Sequence, residues 1–148
     1  MGRYTLHLKF IPVLLALLLL PLAFTASAEQ KEQLGDWDVH YIVVNSTFFS
    51  PEIARQYGVV RSKYNALVNI SVLNSDTQQA QIVGIEGTAT NLLGTEKKLN
   101  FKKVQEGEAI YYLAVFNFRH EETYRFNIEI RRGNTVEKLK FQQKMYVD

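Results

Sequence analysis

The chain has 148 residues, with 17 Lys and Arg against 15 Asp and Glu, three His and no Cys. The lack of Cys excludes disulfides, thiol nucleophiles and thiolate metal sites. The length suits one domain with its own hydrophobic core, and the 12% aromatic content supplies material for that core.

The N-terminus reads as the three zones of a secretory signal. Arg3 and Lys9 precede the uncharged run Ile11–Phe24, and Ala26-Ser27-Ala28 forms a small-x-small cleavage site. The run is shorter than the ~20 residues a membrane-crossing helix needs, and Pro12 and Pro21 bracket it. The expectation is a signal peptide over residues 1–28 and a single domain over 29–148, placed in a bacterial periplasm with no membrane span after cleavage. An uncleaved N-terminal anchor is the alternative. Both Arg3 and Lys9 lie in the leader and no acidic residue does, so the mature chain is formally neutral. Neutrality removes the general pull toward nucleic acid or anionic lipid, and neither is expected as a partner.

After the leader, residues 29–33 read as a loose polar tail. Period-two alternation then dominates. The first strand places Trp37, Val39, Tyr41 and Val43 on one face, with Asp36, Asp38 and His40 on the other. Ser50 to Gly58 interrupts as a short helix, with Ser50 as cap, Pro51 in the first turn and Gly58 at the left-handed end. The second strand sets Ala66, Val68, Ile70 and Val72 on one face. The third spans Ala80 to Thr90, where Gly84 and Gly87 mark a bulge or a close backbone approach. The fourth runs from Lys97 to Val104 with Leu99 and Phe101 inward. The fifth alternates Ile110, Tyr112, Ala114, Phe116 and Phe118, and the sixth Tyr124, Phe126, Ile128 and Ile130. The seventh carries Leu139, Phe141, Met145 and Val147. Turn chemistry separates the runs, and Gly133-Asn134 is the best hairpin signal. This pattern predicts an all-β fold: a seven-stranded antiparallel immunoglobulin-like β-sandwich with one short helix between strands 1 and 2. A closed barrel is the competitor.

The stretches 44–54, 57–63 and 66–72, together with the close Leu139-Lys140-Phe141-Gln142-Gln143-Lys144-Met145-Tyr146, carry a resemblance. They resemble a family of uncharacterised exported proteins of gamma-proteobacteria, defined by a domain of unknown function. The resemblance covers essentially the whole mature chain. It implies a periplasmic β-sandwich and supplies no catalytic residue. More loosely, Tyr124 is similar to the tyrosine corner of immunoglobulin-like domains, with Phe126 where antibody domains hold a Cys.

No constellation of residues reaches a catalytic or metal signature. Asp36, Asp38 and His40 form an acidic row, but a strand rises ~3.3 Å per residue, so the row is too long for one ion. It reads as a solvated strand start. No G-x-S-x-G elbow is present, and Ser50 is explained as a cap. Lys97, Lys98, Lys102 and Lys103 read as protection of an edge strand rather than as an anion site. No cofactor and no metal are expected. The segment 48–64 is the candidate interaction loop, with Phe48, Phe49, Tyr57, Arg61, Lys63 and Tyr64 as its side chains. The plainer reading is a lid whose aromatic residues plug one open end of the sandwich.

Two functions follow from this pattern. One is a non-enzymatic binding or assembly module whose partner, a periplasmic protein, docks on that loop or on a sheet edge. The other is a small-molecule carrier or hydrolase, with an apolar cavity near Tyr57 at one end of the sandwich.

Overall fold

The computed structural model describes residues 29–148. The expected leader, residues 1–28, lies outside the described residues. Nine strands and one short helix follow in the order β1 (Gln30–Leu34), β2 (Trp37–Asn45), a 3-10 turn (Ser46–Phe48), α1 (Pro51–Tyr57), β3 (Asn65–Asn74), β4 (Gly84–Asn91), β5 (Glu96–Leu99), β6 (Lys102–Glu106), β7 (Ala109–Asn117), β8 (Glu122–Arg132) and β9 (Thr135–Met145). They form two sheets, ordered β1-β2-β3-β7-β6 and β5-β4-β8-β9, with every pairing antiparallel. Among the described residues no helix is long and apolar enough to cross a membrane.

The alternating residues meet between the sheets. Val39, Tyr41, Val68, Ile70, Tyr112 and Phe116 of one sheet pack on Ala89, Leu99, Phe126, Ile128, Ile130 and Leu139 of the other. Phe126 stacks on Phe141 at 4.6 Å and meets Phe116 edge-on at 5.5 Å. The buried phenol of Tyr112 is satisfied by the irregular segment before β4, accepting from Val83 N at 2.8 Å and donating to Gln81 O at 3.3 Å. Tyr124 is fully buried and donates to the Glu122 carboxylate, two residues upstream. Gly87 marks a close approach, since a Cβ there would lie 2.8 Å from Asn127 O and from Ile128 Cγ1.

Nine strands replace the expected seven for two reasons. The polar tail is the edge strand β1, paired with β2 from Gln30↔Tyr41 to Leu34↔Trp37. The expected fourth strand is two. β5 pairs with β4 in one sheet, the chain crosses at Asn100 and Phe101, and β6 pairs with β7 in the other. The lysines are therefore divided between two sheets. Lys97 is no plain edge lysine: its ammonium donates to Asn117 Oδ1 at 2.7 Å and to Asn117 O, and sits 5.5 Å from the Tyr124 ring centroid. Burial pushes its pKa down, against the attraction of Glu122.

Candidate functional site

The loop between β2 and β3 is closed by one buried side chain. Ser46 Oγ donates to Ser62 O at 2.8 Å and accepts from Ser62 N at 2.9 Å. Asn65 Nδ2 adds a bond to Val60 O at 3.1 Å. Within the closed loop α1 forms on local signals: Ser50 Oγ accepts from Ile53 N at 3.3 Å, Pro51 opens the first turn, and Gly58 ends it at φ 68°. Ala54 and Val59 then pack on Leu67, with Phe49, Tyr57, Val44 and Leu113 around them.

Val44, Leu67 and Leu113 point away from the central core, on the outer face of the five-stranded sheet. The helix covers that outer face rather than plugging the end of the sandwich. These outward positions are apolar, so the sheet has a second hydrophobic side that needs a cover.

The loop's side chains divide accordingly. Phe49 and Tyr57 turn onto the sheet, whereas Phe48 is 77% exposed and meets Phe49 edge-on at 5.6 Å. Arg61, Lys63 and Tyr64 face solvent, with the Lys63 ammonium 5.1 Å from the Tyr64 ring centroid.

The register brings other loops to the same end of the molecule. Phe118 N donates to Tyr64 O at 2.8 Å, Asn45 Nδ2 to Tyr146 O at 2.9 Å, and Val147 N to His120 Nδ1 at 3.0 Å. Asn91, paired with Tyr124 near the start of β8, ends β4 there too. Its side chain accepts from Leu93 N and Thr95 N, bonds that fix the tight turn 92–95. That turn presents Leu92 at 60% and Leu93 at 92% exposure. Phe48, Val60, Tyr64, Leu92, Leu93 and Tyr146 are thus the exposed apolar side chains of one end. Arg61, Lys63, Arg119 and Lys144 are exposed beside them. Of these apolar side chains the sequence reading named Phe48 and Tyr64 and did not name Val60, Leu92, Leu93 and Tyr146. Leu92-Leu93 ahead of Gly94 was the available signal, since two adjacent Leu in a turn have no core to enter.

Two cavities lie on the outer sheet face. One of about 270 Å³ opens beneath α1, walled by Phe49, Tyr57, Leu67 and Leu113, with Asn69, Glu106 and Tyr111 as its polar groups. The other, of about 740 Å³, is lined by Glu29, His40, Ser71 and Glu108 among others, and Tyr111 borders both. The expected cavity near Tyr57 therefore exists, displaced from the end of the sandwich to the flank of a sheet.

Asp36, Asp38 and His40 do not form a solvated row. Asp36 lies in the β1–β2 turn, and Asp38 is buried, accepting from Gln78 Nε2 at 3.0 Å and Ser75 Oγ at 3.4 Å. The bond from Gln78 is the largest influence lowering the Asp38 pKa. Burial opposes it, and Lys31 at 3.7 Å adds to it. Among the described residues no group of three or more His, Cys, Asp or Glu side chains is placed to hold a metal ion.

Comparison with known proteins gives the family. No curated protein sequence matches the chain. The chain is similar to the crystal structure of a DUF4426 family protein from Pseudomonas aeruginosa, with 34% identity and a TM-score of 0.72, covering 81% of this chain and 96% of that one. FetP of uropathogenic Escherichia coli strain F11, isolated after recombinant expression in the periplasm, matches at 10% identity and a TM-score of 0.59 over 80% of this chain and 94% of that one. A copper-bound variant of FetP matches at 12% identity and a TM-score of 0.59 over 81% and 91%. The two FetP likenesses show the fold alone. The domain of unknown function DUF4426 matches residues 31–148, and the chain belongs to that family.

Proposed function

We propose that this protein is a non-enzymatic binding module of the bacterial periplasm, exported by cleavage after Ala28, and that it docks a protein partner on the loop-bearing end of its sandwich. The observation that carries this reading is the grouping of exposed apolar side chains there. A patch of Phe48, Val60, Tyr64, Leu92, Leu93 and Tyr146 loses favourable burial unless something covers it. Both loops that carry most of the patch are held by internal hydrogen bonds, so the surface is preformed and docking costs little ordering entropy. Lys63 and Lys144 lie over the Tyr64 and Tyr146 rings, and Asp148 and Glu121 are at the same end, so the patch has charges of both signs beside its apolar anchors. FetP was recombinantly expressed in the periplasm, in keeping with the same compartment. The copper of the FetP variant is not carried over, because at 12% identity that likeness shows the fold alone.

The test is photo-crosslinking in living cells, with the crosslinking residue placed at Phe48, at Leu93 or at the remote Val136. The expected result is one discrete adduct from the first two positions and none from the third. Equal labelling from all three, or none from any, overturns the reading.

A further inference from the structure

Four strands end the two sheets, β1 and β6 in one and β5 and β9 in the other. Each carries backbone groups that its own sheet leaves open to an added strand. Charge decides which of these edges a second copy of the chain can use. A two-fold axis normal to a sheet keeps like faces together, so it passes through a residue and opposes the positions that flank it symmetrically. In β1 the charges are the neighbours Lys31 and Glu32, which such an axis never opposes, and an axis on either sets like charges face to face. In β9, Glu137 lies an odd number of positions from Lys138, Lys140 and Lys144, so no axis brings it opposite any of them. In β5, Glu96 meets Lys98 only where Lys97 meets its own copy. β6 is self-complementary. With the axis on Val104, Lys102 faces Glu106 of the second copy, Lys103 faces Gln105, and Val104 faces Val104.

The backbone of β6 is in phase with that register. Just past the β3–β7 ladder, Phe118 N donates to Tyr64 O at 2.8 Å, so even-numbered residues of β7 turn their backbone groups to β3 and odd-numbered ones to β6. Tyr111 and Leu113 therefore hold Val104 and Lys102, and the backbone groups of Lys103 and Gln105 point to the open edge. Across the axis Lys103 and Gln105 exchange both of their bonds, twice over, which makes four backbone hydrogen bonds around a closely spaced Val104 pair. Lys102, Val104 and Glu106 lie on the outer face beside Leu113, Tyr111 and Ala109. Lys102 and Glu106 are exposed, and neither enters an ion pair among the described residues. Lysines on an edge ordinarily repel an added strand. Here the outer-face lysine meets a carboxylate instead.

We propose that β6 is a homodimer interface, at which two copies of the chain pair β6 with β6 in antiparallel about a two-fold axis on Val104. The five-stranded sheets then run on as one sheet across the dimer. The contact is small, so the dimer is weak and depends on concentration. Its two β6 strands run in opposite directions, so the loop-bearing ends lie at opposite poles and stay free. Dimerisation and the docking of another protein thus use different surfaces, and either can fail alone.

Sedimentation equilibrium of the purified protein is expected to show a monomer–dimer equilibrium. Glu106→Lys and Lys102→Glu each change an exposed side chain and set two pairs of like charges in the interface. Each is expected to weaken the dimer about tenfold. The double variant restores opposite charges in reversed order and is expected to recover the original affinity. The chain has no Cys, so Val104→Cys supplies a single thiol. The axis sets it against its own copy at a Cα separation of about 4.5 Å, within reach of a disulfide. Mild oxidation is expected to give a covalent dimer from Val104→Cys and none from Val136→Cys on β9. A monomer at every concentration, a dimer indifferent to both single reversals, a double variant as weak as the single ones, or equal crosslinking at the two positions would each overturn the assignment.

Discussion

At the scale of single residues, Asp38 shows how a side chain that looks solvated becomes structural. Its partners Gln78 and Ser75 lie in the β3–β4 connection, where Gln78 takes a left-handed φ of 59°. Gln78 also donates to Asn74 O and Ser75 O, so one amide ties the turn to itself and to β2. The folded Asp38 pKa is depressed, chiefly by Gln78. A depressed carboxyl stabilises the fold above its unfolded value of about 3.9, and that contribution is lost as pH falls through the folded value. Asp38→Asn is therefore expected to be less stable at neutral pH, with the difference shrinking below about pH 4. Urea denaturation across that range checks it, and a gap independent of pH would refute the linkage. Strand alternation places Asp38 on the outer face, but Gln78 is remote in sequence and signals nothing of the contact.

At the scale of elements, legibility followed locality. All the signals for α1 lie within nine residues of chain, and each is used where the sequence puts it. A helix this short has no stability of its own and rests on its cap and on Ala54 and Val59 against Leu67. Ser50→Ala is expected to cost about 1 kcal/mol, confined to the loop. Hydrogen exchange should then quicken at Ala54 and Gly58 with no change at Val68. Equal acceleration in β3 would show that helix and sheet open as one unit. The split of β5 from β6 was invisible because alternation survives the crossing: Leu99 and Phe101 both face the core, and only their hydrogen-bonding partners change. β1 was invisible for the opposite reason. It is exposed along nearly its whole length, so no apolar period marks it.

At the scale of the whole molecule, the proposed interaction surface is a product of topology. Phe48, Leu93 and Tyr146 are far apart in sequence, and only the register of nine strands gathers them. A turn of two leucines is legible as exposed, but its neighbours are not. The same register makes β1 protective. Its Lys31 and Glu32 cover a strand whose partner β2 is apolar on its inner face and half-buried on its outer one. Removing residues 29–34 leaves the backbone groups of β2 unpaired along that edge. The truncated chain is expected to self-associate in sedimentation velocity under conditions where the full domain stays dispersed. A monodisperse truncated form would mean that β2 is guarded by something other than β1.

The crossing at Asn100 and Phe101 ties one margin of each sheet to the other by an unbroken stretch of backbone, and on the far margin the β1–β2 turn abuts β9, where a Cβ at Gly35 would lie 2.7 Å from Glu137 Oε1. A sandwich hinged on one side only can gape like a book. This one is bound along the spine and shut at the fore-edge. Parting its two sheets therefore requires both margins to give way together, so a protease is expected to reach the inter-sheet core only when the whole domain unfolds.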